Sequence, residues 1–355
     1  MAVINHDNYH DEQAKQNIMK MRAVLDTLPP FCRYFFRGIE EYTSARTRLA
    51  YAYDVRLFFE FLHEENSACA KMEITDFPIS VLENVTRLDI EEYLEYITYY
   101  QKDGKEITND ERGKARKLAS LRSFFNYFFE NEMITTNAAS LVPLPKRHEK
   151  EIIRLEPNEV AILLDQVEEG TKLTKKELEY HKKTKIRDVA LLTLLLGTGI
   201  RVSECVGLDL NDVNFDIGGI KIRRKGGYEA IIYFGDEVET ALLDYMEERE
   251  RIIPAQGHEN ALFLSLQNRR MAVRSVENLV KKYASRVTTL KKITPHKLRS
   301  TYGTNLYQEI GDIYLVADVL GHKDVNTTRK HYAAQEEERR RRAANAVKLR
   351  ENKKD

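Results

Sequence analysis

The sequence predicts a mainly α protein with a small antiparallel β-meander, built as a helical N-terminal domain and a mixed α/β C-terminal domain. Three observations predict it. Apolar residues recur at three- and four-residue spacing through most of the 355-residue chain. Residues 212–234 switch to β-branched alternation broken by two glycine pairs. Between the helical runs, Val142-Pro-Leu-Pro-Lys-Arg-His148 brings in prolines, which lack the amide hydrogen that a helix needs.

Taken in order, residues 1–30 end at Pro29-Pro30 and read as a separate helical extension or partner-binding arm. The helical domain is expected over 31–141. Val55, Phe58, Phe59 and Leu62 share one helical face, and Ile90, Tyr93, Leu94 and Ile97 share another behind the capping residue Thr86. A third helix carries Leu118, Leu121, Phe125 and Phe128 inward, with Arg112, Lys114, Arg116, Lys117 and Arg122 expected as a basic outer stripe. A linker is expected over 142–150 and the second domain over 151–355. There, Gly218-Gly219 and Gly226-Gly227 punctuate a three-stranded meander with Lys225 at the tip of its second hairpin. In the tail, Glu336 with Arg340 and Glu337 with Arg341 stand at i, i+4, which favours an exposed helix.

Composition narrows the class. Hydrophobic residues make up 42%, and 19 Tyr and 14 Phe replace the absent Trp as core-filling aromatics. Three Cys (Cys32, Cys69, Cys205), odd in number and far apart, form neither a disulfide framework nor a metal-ligand set. That usage points to a reduced, cytoplasmic protein. The longest apolar stretch, 189–200, is too short to span a bilayer, and the N-terminus lacks the basic-then-apolar pattern of a signal peptide.

Fifty-six basic and 56 acidic residues cancel, which taken alone argues against a nucleic-acid partner. The distribution does not cancel. Residues 1–145 hold 17 basic and 23 acidic side chains; the remainder holds 39 and 33. Two runs, 112–129 and 278–308, are basic without a single acid. A polyanion responds to such local fields rather than to the sum, so the runs permit a DNA partner, although charge runs are more often solvated faces.

Four segments of the second half carry usable chemistry. Leu196-Gly-Thr-Gly-Ile-Arg-Val-Ser-Glu204 ends one helix and restarts another at Arg201, with Glu204 placed to hold the guanidinium. Thr294-Pro-His-Lys-Leu-Arg-Ser300 sets His296 and Arg299 at i, i+3 on one helical face. Leu320-Gly-His322 puts a histidine just past an amphipathic helix, and His331-Tyr332 follows ten residues on. Each alone has a plainer explanation, as a surface ion pair or a structural histidine.

Their order and spacing together resemble the tyrosine recombinase (integrase) family. The likeness covers about 186–334 closely and 31–140 more loosely, the latter looking like that family's SAM-like core-binding domain. Ser300 stands where relatives usually carry a further histidine, and the His322–Tyr332 interval is one residue longer than the commonest arrangement. The resemblance implies cutting and rejoining of double-stranded DNA through a 3′-phosphotyrosyl intermediate, with neither metal nor nucleotide cofactor. It implies Tyr332 as nucleophile, Arg201, Arg299 and His322 on the phosphate, His296 as proton acceptor, Lys225 as proton donor and Glu204 in support of Arg201. Lys221, Arg223 and Arg224 stand close enough to be alternatives to Lys225.

The length before Phe31 leaves little room for a separate arm-binding domain, and the chain looks most like the Xer-type enzymes, the XerS group in particular. That implies a tetramer on two DNA sites resolving chromosome dimers before cell division, with a septal DNA translocase as a possible accessory. Alternatives are an integrase or resolvase of a mobile element, a type IB topoisomerase-like enzyme, and a non-catalytic DNA-binding architectural or regulatory protein. The last has no use for a nucleophile.

Overall fold

The structure, a computed structural model, describes residues 9–146, 153–224 and 227–321. The chain divides into two compact units, Met1–Lys150 and Glu151–Asp355.

The first unit is built on aromatic packing. Helices α1 (Tyr9–Leu25), α2 (Cys32–Gly38) and α3 (Ala45–Glu65) are followed by α4 (Ser80–Asn84) and α5 (Arg87–Tyr96). A hairpin, β1 (Tyr99–Lys102) with β2 (Lys105–Thr108), then leads to α6 (Glu111–Glu130) and α7 (Ala138–Leu141). Side chains cap the helix starts: the Ser44 hydroxyl accepts from Thr47 N–H, Thr86 and Asp89 form a capping box, and Asp110 accepts from Gly113 N–H. The buried faces then meet in a lattice of rings. Phe58 lies edge-on to Tyr93 with centroids 5.2 Å apart, and Phe124 to Phe128 at 5.0 Å.

Two expectations change here. The extension expected over residues 1–30 is not separate from Tyr9 onward, because α1 packs on α3 and Met21, Val24, Leu25 and Leu28 enter the same core as Phe59. The unit is also not wholly helical. Asp103 and Gly104, with φ of 51° and 70°, make the tight turn that pairs Lys102 with Lys105 and Tyr99 with Thr108.

The second unit opens with α8 (Pro157–Glu169), α9 (Lys175–Thr198) and α10 (Val202–Gly207). Next comes the expected meander, β3 (Val213–Asn214), β4 (Gly219–Arg223) and β5 (Glu229–Tyr233), antiparallel in that order. Helices α11 (Asp236–Glu250), α12 (Val273–Ala284), α13 (Pro295–Ile310) and α14 (Ile313–Leu320) complete it. Helix α9 is the hub, buried from Ala190 to Leu195 and packed against α8, α11 and α13. Its fully buried Asp188 accepts from Thr184 Oγ1 at 3.0 Å, Arg187 Nη2 at 2.6 Å and the Tyr283 hydroxyl at 3.0 Å. Among the described residues, no helix is long and apolar enough to cross a membrane.

Candidate active site

The site begins where α9 stops. Gly199 closes that helix in the left-handed conformation, and the chain turns back through Ile200 to start α10 at Arg201. Arg201 is held twice by one carboxylate. Its backbone N–H donates to Glu204 Oε2 at 2.7 Å, and its Nη1 donates to Oε1 at 2.8 Å. The Glu204 side chain is 4% exposed and the Arg201 side chain 38%, so a buried anion anchors a cation whose outer edge meets solvent.

Helix α13 starts with Pro295 in its first turn, where a missing amide hydrogen costs nothing, and carries Arg299 one turn further. Arg299 is 5% exposed. Its Nη1 donates to the Gly199 carbonyl at 2.6 Å and its Nη2 to the Leu320 carbonyl. Arg201 Nη2 donates to the next carbonyl, Gly321, at 3.2 Å. Arginine 224, just past β4, reaches the same helix end, with Nη1 on the Asp318 carbonyl at 3.1 Å and Nη2 on Val319 at 2.7 Å.

The last carbonyls of a helix have no intrahelical donors and carry its negative dipole end, which draws cations. Here four successive carbonyls, from 318 to 321, each receive a guanidinium N–H. Three arginines from three parts of the chain are thereby gathered at one helix end with the Glu204 carboxylate. Of the three, Arg224 spends both Nη atoms on the helix end, whereas Arg201 and Arg299, held next to each other, are the fixed, planar cations that suit a phosphodiester whose charge grows as it reacts.

His296 lies in the first turn of α13, exposed, one turn before Arg299. Ser300 donates its hydroxyl to the His296 carbonyl at 3.0 Å. Lys225, His322 and Tyr332 lie outside the described residues, as does the tail run 336–342. Their chain neighbours Arg224 and Gly321 are described, and both belong to the arginine cluster. Of the alternatives to Lys225, Lys221 pairs with Glu229 across the hairpin at 3.4 Å. Arg224, considered from sequence only as such an alternative, is the residue whose placement the sequence did not indicate. An arginine two residues before a glycine pair gives no local sign that it reaches a helix 94 residues on.

The basic stripe expected on α6 is redrawn. Lys117 is buried and donates to Asn109 Oδ1 at 2.7 Å, and burial pulls its pKa down. It shares the inward arc with Leu121, Phe124 and Phe128, three to four residues apart, rather than facing outward. Arg122 donates to the Ala139 carbonyl at 3.1 Å and to that of Val142. Arg116 makes a two-pronged pair with buried Asp54, although half its side chain is exposed. Lys114 donates to Thr98 Oγ1 at 3.0 Å, and Arg112 is exposed. The run 278–308 is likewise partly neutralised, since Arg286 pairs with Glu177 and Lys291 with Glu159. Among the described residues, no three His, Cys, Asp or Glu side chains gather where a metal ion could sit.

The profile of the phage integrase family matches residues 154–339. Tyrosine recombinase XerC of Caldanaerobacter subterraneus subsp. tengcongensis is 33% identical over 313 residues, covering 85% of this chain and 81% of its own. Tyrosine recombinase XerS of Lactococcus lactis subsp. cremoris is 30% identical over 342 residues, covering 89% of this chain and 94% of its own. The fold resembles that of the XerH site-specific recombinase bound to a palindromic difH substrate in a post-cleavage complex. There the TM-score is 0.63 at 20% identity, over 85% of this chain and 80% of that one. With a family match over more than half its length and motifs in the family's order, the chain belongs to the phage integrase family, the tyrosine recombinases.

Proposed function

We propose that this site-specific DNA recombinase resolves chromosome dimers before cell division, acting as a tetramer on two copies of a short paired-arm site. Double-stranded DNA is its partner, and a septal DNA translocase fits as the accessory that brings the two sites together. Relatives carrying the XerC and XerS names, covered over 81% and 94% of their own length, support this reading. The observation that carries the chemistry is the convergence of Arg201 and Arg299 on the end of α14, one and two residues before His322.

In the reaction so assigned, the Tyr332 oxygen attacks the scissile phosphorus and the P–O5′ bond breaks. A phenol with a pKa of about 10 must lose its proton on the way, and His296 accepts it. Arg201, Arg299 and His322 hold the non-bridging oxygens while charge accumulates there. Lys225 returns a proton to the departing 5′ oxygen. A 5′-hydroxyl of the second duplex then attacks the phosphotyrosine, restoring the phenol and a phosphodiester. One ester replaces another, so bond energy is conserved through both steps.

A nicked suicide substrate tests the chemistry. The wild-type chain should yield a protein–DNA adduct that survives denaturant, and Tyr332→Phe should bind the same DNA and yield none; an adduct from the variant defeats the assignment. For the biological role, cells carrying only Tyr332→Phe should accumulate unresolved chromosome dimers. Normal segregation in those cells would assign the enzyme to a mobile element instead.

A further inference from the structure

We infer that Arg224 is a positioning residue for leaving-group protonation: it docks the β4–β5 hairpin onto the carboxyl end of α14 at the position immediately before Lys225 in the chain. The inference rests on the reading of Lys225 as proton donor.

Three observations converge on it. First, the guanidinium of Arg224 spans two carbonyls of a different element, Asp318 at 3.1 Å and Val319 at 2.7 Å, 94 and 95 residues along the chain. Second, the dock is a fixed one. Helix α14 buries Val316 and Leu320 against Tyr307, and its last carbonyls are also held by Arg299 and Arg201. Third, the fit is close. A Cβ added at Gly321 would lie 2.5 Å from the Arg224 Cζ, so the glycine of Leu320-Gly-His322 leaves the space in which this guanidinium sits.

The turn end of the hairpin is the part that needs docking. Arg224 N–H donates to the Tyr228 carbonyl at 2.7 Å and its carbonyl accepts from Gly227 N–H at 3.1 Å, so local bonds tie its backbone only to the hairpin itself. Ile220, Ile222 and Ile232 bury the inner face of the two strands, but Tyr228, just before β5, and Ile231 and Tyr233 on it are exposed, so apolar packing holds the strands and does little for the turn end. A two-pronged guanidinium bond is directional, and a single ammonium at this position cannot straddle two carbonyls. The charge alone is therefore not what the position requires.

The test measures single-turnover covalent-complex formation at saturating DNA, on a suicide substrate with either oxygen or sulfur at the bridging 5′ position. A thiolate leaves without protonation, so sulfur removes the need for the acid. Arg224→Ala and Arg224→Lys should both slow cleavage of the oxygen substrate by about 10- to 100-fold, the scale of a misplaced catalytic group. Both should cleave the sulfur substrate at close to the wild-type rate, which also shows that the variants are folded. DNA affinity and its salt dependence should stay as in wild type. If Arg224→Lys behaves as wild type, or if both variants lose affinity in step with rate, Arg224 is a phosphate-gripping cation and the inference fails. Equal slowing on both substrates overturns it as well, since the defect then lies in the arginine cluster and not in protonation. Lys225→Ala is run alongside. If sulfur rescues Lys225→Ala but not the Arg224 variants, only the present inference falls; if sulfur fails to rescue Lys225→Ala, the donor assignment falls and takes this inference with it.

Discussion

Arg299 and Arg201 donate to consecutive carbonyls, those of Leu320 and Gly321, although they stand on different helices and 98 positions apart in the chain. The shared anchor sets the spacing of two guanidinium groups that would repel each other without it. It also ties them to the peptide immediately before His322. Glu204 below Arg201 and the Gly199 carbonyl below Arg299 complete the support.

Removing either arginine should therefore cost rate more than binding. Arg201→Ala and Arg299→Ala are each expected to slow single-turnover cleavage by about 10²–10³, the usual loss for one donor to a developing oxyanion. Gel-shift affinity should change far less. Equal losses in rate and affinity would make them ordinary phosphate contacts. Arg299→Lys should not recover the rate, because one ammonium cannot serve both the Gly199 and Leu320 carbonyls.

Gly321 is predicted to tolerate no side chain. Its φ of 62° is left-handed, which costs a residue with a Cβ about 1–2 kcal/mol. Gly321→Ala should also displace Arg224, whose Cζ lies 2.5 Å from the added carbon. Thermal melts in wild-type and Arg224→Ala backgrounds form a double-mutant cycle. The penalty should shrink in the second background, because the steric part disappears and the backbone part remains.

Asp188 holds α9 to α12 by accepting from Arg187, Thr184 and Tyr283, with Lys282 at 3.7 Å. Asp188→Ala leaves the nearly buried Arg187 without its carboxylate. Breaking such a pair from one side costs about 3–5 kcal/mol. Denaturant titration should show the midpoint falling with an unchanged slope, and a loss below about 1 kcal/mol would contradict the role.

Glu177 gives the second unit a pH-dependent contribution. Its pKa is lowered from the ordinary 4.5, first by the Thr174 backbone N–H, then by the Thr174 side chain and by Arg286. A carboxylate stabilised in the folded state contributes stability that is complete above 4.5 and is lost as pH falls through the lowered folded value. Wild type should therefore exceed Glu177→Gln in stability at neutral pH, and the two should converge in acid. A difference that stays constant from neutral pH to about pH 3 would rule this out.

Much of this protein was open to reading in one dimension. Helical periodicity located α3, α5 and α6, two glycine pairs marked the meander, and motif order singled out Arg201, Glu204, His296 and Arg299. These signals are local, since capping, turns and amphipathic spacing act within a few residues of each other. The Asp103-Gly104 turn was equally local, but the four-residue strands beside it continue the apolar pattern of α5 and were hidden by it.

What the chain itself determined is the chemical inventory: which side chains are present, in what order, and on which kind of element. What only the tertiary structure decided is where each cation finds its counterpart. Lys117 reads as a surface charge until α6 rolls it inward onto Asn109; Arg116 meets Asp54 62 positions away; residues from Tyr9 on join the core instead of standing apart. The gathering of Arg201, Arg224 and Arg299 at the end of α14 has the same origin. A buried ion pair or a capped helix end depends on geometry between distant segments, and short-range periodicity carries no record of distance across the fold.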